Sequence, residues 1–125
     1  MDELKVFIAA PYPLKDLAKG HSKFIESHGI EVVSRWHNVP PLKDYKQAAL
    51  DDIYDLDRAN TFVILKDNDL GNGGKDIEFG YAIAKGYNLC VVSYSGPKCI
   101  YDYLEQVTVV PTQSSVINWL DTLNE

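Results

Sequence analysis

One segment, Gly71-Asn72-Gly73-Gly74-Lys75-Asp76-Ile77-Glu78-Phe79-Gly80-Tyr81-Ala82-Ile83-Ala84-Lys85-Gly86, joins a glycine-rich loop to an apolar helix with a glutamate in its first turn. Three glycines within four residues let backbone come close to a ligand. The helix behind them offers N–H groups and a partial positive charge. Glu78 is expected where that field favours an ionised carboxylate, the form a nucleophile needs. The same placement also serves ordinary capping and dipole chemistry. A second carboxylate stands out in the segment Lys43–Ala59. At about 100° per residue, Tyr45, Ala48, Ala49, Leu56 and Ala59 share one face and Asp52 projects into its middle. Asp51, Asp55 and Arg58 fall on the opposite or flanking side. A carboxylate on a core-facing stripe is costly unless it is paired or lines a cavity. Asp52 therefore reads either as an edge aspartate bonded to a backbone N–H or a lysine, or as a pocket acid with a raised pKa that moves a proton. Two carboxylates in different environments suit chemistry at an acetal-like carbon, one attacking and one moving a proton. Cleavage of an N-glycosidic bond is such chemistry.

These groups must be held by a scaffold, and its elements alternate. Apolar runs at Lys5–Ala10, Ile30–Ser34, Thr61–Leu65, Leu89–Ser93 and Val107–Val110 read as strands. Leu14–His28, Lys43–Ala59, Lys75–Lys85 and Thr112–Leu123 read as helices, with Gly86 ending the third and Thr112 capping the fourth. Pro97–Leu104 reads as a short helix or loop. Strands that are continuous apolar runs between helices mean a mainly parallel sheet covered on both faces. In such folds ligands bind outside the carboxyl ends of the strands. That directs attention to Ala9–Lys15, Ser34–Leu42, Lys66–Lys75 and Ser93–Cys99, with Tyr12, Trp36, His37, Tyr94 and Ser95 as residues a small ligand could use.

The 125 residues fit one domain, 1–125, with one core. Composition is that of an ordinary soluble protein, 46% hydrophobic and 24% charged. The net charge of −6 and the lack of a basic cluster argue against a nucleic-acid polymer as partner. Cys90 and Cys99 lack a framework spacing and read as free thiols. Met1-Asp2-Glu3-Leu4 lacks the pattern of a signal peptide, and no apolar run reaches the ~18 residues of a membrane span. The expectation is a cytoplasmic protein with no membrane partner. His21, His28 and His37 show no ligand spacing, so no metal site is expected, and His21 and His28 read as solvated residues of the first helix.

The pieces KVFIAAPY, VVSRW, AALDDIYDLDRAN entering TFVIL, and GGKDIEFGYAIAKG resemble the nucleoside 2-deoxyribosyltransferase family, which includes the 2′-deoxynucleoside 5′-monophosphate N-glycosidases. The likeness runs from Lys5 to about Ser93. It implies a flavodoxin-like α/β fold with three layers and a five-stranded sheet, and a retaining double displacement without a cofactor. Glu78 matches the family nucleophile that holds the sugar as a glycosyl ester, and Asp52 the aspartate that exchanges a proton with the base. Trp36 follows the second strand, where a base could stack or the ring could simply cover the sheet end. Three positions depart from the family. Phe7 stands where many members carry a tyrosine that bonds the nucleophile, with Tyr12 or Tyr81 as candidate stand-ins. Asn72 stands where transferases often have an aspartate. Cys99 stands where an asparagine often serves a neighbouring subunit's sugar site. With Ala10, Tyr12, Trp36, Gly74 and Ser95, these make the expected substrate-binding set. The implied partners are a nucleoside or nucleotide and a free nucleobase, and a second copy of the chain in a homo-oligomer, with Tyr101 and Tyr103 as candidate anchors.

Transfer of a deoxyribosyl group between bases is the favoured activity. Candidate phosphate donors are few: the Gly73-Gly74 backbone, Ser95, Lys15, Lys98 and Arg35. Hydrolysis of nucleoside 5′-monophosphates is the alternative, and a non-catalytic nucleotide-sensing module a further one. A phosphoryl-acceptor receiver domain is discounted, because Ala9-Ala10-Pro11 and Lys66 stand where its acidic residues would be. Phosphoribohydrolases with a proline-glycine-glycine signature are discounted because that signature is absent.

Overall fold

Five strands, β1 (Lys5–Ala9), β2 (Glu31–Val32), β3 (Thr61–Leu65), β4 (Asn88–Val92) and β5 (Val107–Val110), form one sheet in the order β2-β1-β3-β4-β5 in a computed structural model of the chain. The structure describes residues 3–40, 44–67 and 73–124. Every strand pair is parallel. Helices α1 (Lys15–Glu26), α2 (Tyr45–Arg58), α3 (Gly74–Lys85) and α4 (Gln113–Leu123) connect or follow the strands. This is the doubly wound, flavodoxin-like order, and the chain reverses direction across the sheet at β1 and β3.

The apolar strands are buried because helices cover both faces. Val6, Ile8, Val63, Leu65, Cys90 and Val92 pack against Ala18 and Ile25 of α1 and Val116, Ile117 and Leu120 of α4. The alternate residues Phe7, Ala9, Phe62, Ile64, Leu89 and Val91 pack against Leu56 of α2 and Phe79 and Ala82 of α3. Phe62 stacks on Phe7 on one side and Phe79 on the other, each at 5.9 Å between ring centres. That row of rings fixes the rotation of α3, and with it the direction of the neighbouring Glu78.

The ends of the helices follow their sequence. Asp44 caps α2 by accepting from the Gln47 N–H at 3.0 Å, and Thr112 caps α4 by accepting from Ser115 N–H at 3.2 Å. Gly73, at φ 91°, turns the chain into α3, a conformation that glycine adopts without strain. Its carbonyl accepts the N–H groups of Asp76 and Ile77. Among the described residues, no helix is long and apolar enough to cross a membrane.

Two expectations change. The second strand is two residues long rather than Ile30–Ser34, because the chain leaves the β1 edge after Val33, whose N–H makes the last backbone bond to Val6. His21 is buried rather than solvated, and that burial lowers its pKa. The segment Pro97–Leu104, read as a short helix or loop, holds a single helical turn, Ile100–Tyr103, with Cys99 at its N-cap.

Candidate active site

A cavity of about 880 Å³ opens at the carboxyl ends of β1 and β2, beside the point where the strand order reverses. Four pieces of chain build it. The segment after β1 contributes Ala10 to Pro13, and the segment after β2 contributes Arg35, Trp36, Val39 and Pro40. One face of α2 contributes Ala48, Asp51, Asp52 and Asp55, among others. The start of α3 contributes Gly73, Gly74, Lys75 and Glu78.

Of the sequence-derived candidates, the fold therefore brings Ala10, Tyr12, Trp36, Asp52, Gly74 and Glu78 to one cavity. Phe7 is not there. It is fully buried in the centre of β1, stacked on Phe62, two residues short of the strand's end. Ser95 and Cys99 are on the connection between β4 and β5 and do not line the cavity. Asn72 lies outside the described residues, as do Gly71 and Lys43. Tyr81 does not reach the cavity either, since its hydroxyl donates to Asp57 on the outer side of α2.

Glu78 is the fifth residue of α3, just past the first turn. The electrostatic expectation for it reverses. Burial, and then the negative charge of Asp52, push its carboxyl up to about 8, so removal from water outweighs the field of the helix terminus. Asp52 is pushed up to about 6, by burial first and then by Asp55 and Asp51, with Arg35 opposing. At neutral pH the pair carries about one proton.

The stripe assigned to α2 is only half right. Leu56 and Ala59 are buried, but Tyr45 is 73% exposed and Ala49 is exposed. The inward face instead passes through Ala48, Asp52 and Asp55, and Asp55, expected among the outer charges, is 1% exposed. It is paired rather than solvated. Asp55 accepts from the Arg35 backbone N–H at 3.1 Å and from Arg35 Nε at 2.9 and 3.0 Å, and Arg58 Nη2 lies 3.6 Å away. This buried carboxylate ties the segment after β2 to α2 and orients Arg35 at the cavity wall. Its sequence signal was the spacing from Asp52 and Arg58, three residues either way on the same helix.

Trp36 is partly buried, and its indole Nε1 donates to the Ile8 carbonyl at 2.7 Å. One edge of the ring is fixed to the sheet while the side chain contributes to the cavity wall.

Among solved structures, this backbone matches the 2-deoxyribosyltransferase of the psychrotolerant bacterium Bacillus psychrosaccharolyticus at a TM-score of 0.70 and 17% identity, over 91% of this chain and 90% of that one. It also matches the Clostridium botulinum CMP N-glycosidase BcmB at a TM-score of 0.64 and 20% identity, over 94% and 98%. The fold is that of the 2-deoxyribosyltransferases. At these identities the likeness is one of fold, and it agrees with the resemblance carried by the sequence segments. No protein-family model and no curated protein matches the sequence. In the deoxyribosyltransferase fold as this chain builds it, the crevice at the strand reversal holds two carboxylates of raised pKa, one tryptophan and one arginine.

Proposed function

We propose that the protein cleaves the N-glycosidic bond of 2′-deoxynucleosides and transfers the deoxyribosyl group to a second nucleobase. The observation that carries this reading is the pair Glu78 and Asp52, facing one cavity with about one proton between them at neutral pH. The reaction draws on the form of that state in which the proton, held at rest by Glu78, has moved to Asp52. As an ionised Glu78 oxygen forms its bond to C1′, the bond from C1′ to the base nitrogen breaks, and the electron pair leaves with the base. Asp52 delivers the proton the base takes up. The result is a glycosyl ester on Glu78, and an incoming base reverses each step. The Trp36 ring offers a stacking surface to either base. A structural neighbour named as a 2-deoxyribosyltransferase supports this class of chemistry.

The neighbour named as a CMP N-glycosidase supports the alternative, hydrolysis of a nucleoside monophosphate. The charges in the cavity favour the unphosphorylated substrate. Asp44, Asp51, Asp52, Asp55 and Glu78 contribute carboxylates, against Arg35 and Lys75. Arg35 already bonds Asp55, and the Lys15 ammonium donates to the Val39 carbonyl. A dianionic phosphate would enter a field of its own sign. A homo-oligomer belongs to the same proposal: Tyr101 and Tyr103 are exposed, as is Ile77 on α3 beside the cavity. The test is to incubate the protein with deoxynucleosides, with and without a second free base, and with deoxynucleoside monophosphates, and to separate the products by chromatography. A new nucleoside is the expected product. Faster release of base from the monophosphate, with no new nucleoside when a second base is present, would reverse the proposal in favour of hydrolysis.

A further inference from the structure

β2 stops early beside the cavity, and the edge of β1 that it abandons is closed by side chains. Ile8 sits in β1 beyond the last backbone bond to the β2 segment. Its N–H donates to Ser34 Oγ at 3.1 Å, and its carbonyl accepts from Trp36 Nε1 at 2.7 Å. Two side chains thus take the place of the next residue of a longer strand. Ser34 Oγ also lies 2.9 Å from Nε2 of His37, whose ring is fully buried and meets the Trp36 ring edge-on at 5.5 Å. Burial lowers the pKa of the imidazole. The Ser34 hydroxyl can donate to Nε2 or accept from it, so the contact holds in either neutral tautomer.

We propose that Ser34 and His37 are positioning residues that hold the Trp36 indole in place as a wall of the cavity, His37 by hydrogen-bonding Ser34 and by packing against the indole. Neither residue lines the cavity itself. Their contribution is to lock the ring that does, because a wall mounted on a loop is only as fixed as the bonds behind it. The placement of Trp36 stands without any assumption about the reaction; only the effect on substrate rests on the nucleoside reading above.

Trp36 and Trp119 are the two tryptophans of the chain, so a Trp119→Phe background leaves Trp36 as the one indole emitter. In that background, His37→Phe keeps a ring of similar bulk but cannot accept a hydrogen bond, whereas His37→Gln can. Acrylamide quenching of Trp36 is expected to rise about threefold in His37→Phe and in Ser34→Ala, and to stay near the parent value in His37→Gln. With a deoxynucleoside, KM in the first two is expected to rise about tenfold while kcat stays within about threefold, the split of a binding wall rather than of a reacting group. If His37→Phe does not fold, Ser34→Ala decides alone. Unchanged quenching in both would overturn the proposal, and so would a His37→Gln protein that behaves like His37→Phe. A parent protein that turns over no nucleoside would defeat the functional reading and leave the quenching result to judge the positioning one.

Discussion

Replacing Glu78 with glutamine tests the electrostatics of the site without reference to any substrate. Burial and Asp52 raise the Glu78 carboxyl from 4.5 to about 8 in the folded chain. Below pH 4.5 it is protonated in both folded and unfolded chains, and its raised pKa has no effect on stability. Between 4.5 and 8 the folded chain keeps a proton that the unfolded chain releases, so stability falls as pH rises. Above 8 the loss is complete. A tenfold difference in proton affinity between the folded and unfolded chains corresponds to about 1.4 kcal/mol, so the group alone takes away up to about 4 kcal/mol between pH 5 and pH 8.5. Glutamine imitates the protonated form and lacks this dependence. Urea unfolding of both proteins at the two pH values should therefore show a difference that grows in favour of Glu78→Gln by at least about 1.5 kcal/mol on going to pH 8.5. Other titrating groups are common to both proteins and largely cancel. A difference that stays constant within about 0.5 kcal/mol would refute a buried, raised carboxyl at this position. In an Asp52→Asn background the growth should be smaller but still present, because burial is the larger cause and Asp52 the lesser one.

On activity, Glu78→Ala should lower turnover by about a thousandfold or more while leaving the circular dichroism spectrum intact, and activity within tenfold of the parent would remove Glu78 from its role. The pH profile of kcat/KM should be bell-shaped with limbs near 6 and 8, the values that bound the one-proton state of the pair; a profile flat from pH 5 to 9 would contradict it. Asp52→Asn should remove the alkaline limb, because Glu78 must still ionise while the proton donor no longer titrates, and should slow most strongly those bases that leave poorly without protonation. Sedimentation should find an oligomer of the 14.1 kDa chain, and full activity in a species of that mass alone would count against a shared site.

Much of the scaffold was legible because it rests on local pattern. KVFIA, TFVIL and NLCVV are apolar runs with no other way to be buried than between two layers of helix, and they form β1, β3 and β4. Gly86 ends α3 in the left-handed conformation, as its place after Lys85 indicated. What was not legible depended on partners distant in sequence. Ile30–Ser34 has the composition of a strand, but Ser34 faces Ile8 with its side chain, and nothing local to the run announces that exchange. The inward face of α2 is rotated toward Ala48 and Asp55, because Ala49, at the far edge of the apolar stripe, and Tyr45, at the first helical position, are exposed. Nothing on the helix itself announces that Asp55 turns inward, since its partner Arg35 stands twenty residues earlier. Phe7 entered the binding set by family likeness alone. Strand alternation placed it with Ala9 on the α2–α3 face, but too deep along β1 to meet a ligand at the strand's end.

The unpaired lane beside β1 also has a consequence for how the molecule breathes. Amides inside the β1–β3 ladder are guarded by rungs that open together, whereas the Ile8 amide, like that of Lys5 at the strand's start, is guarded by a side chain, here a single serine hydroxyl. Its exchange with deuterium then reports the opening of one rivet rather than of a strand, and it should be among the faster-exchanging amides of β1. A ligand seated against Trp36 would press that rivet shut. Protection gained at one backbone position in the middle of a parallel sheet, with little change at β4 and β5, would be the signature of an occupied crevice before any chemistry is detected.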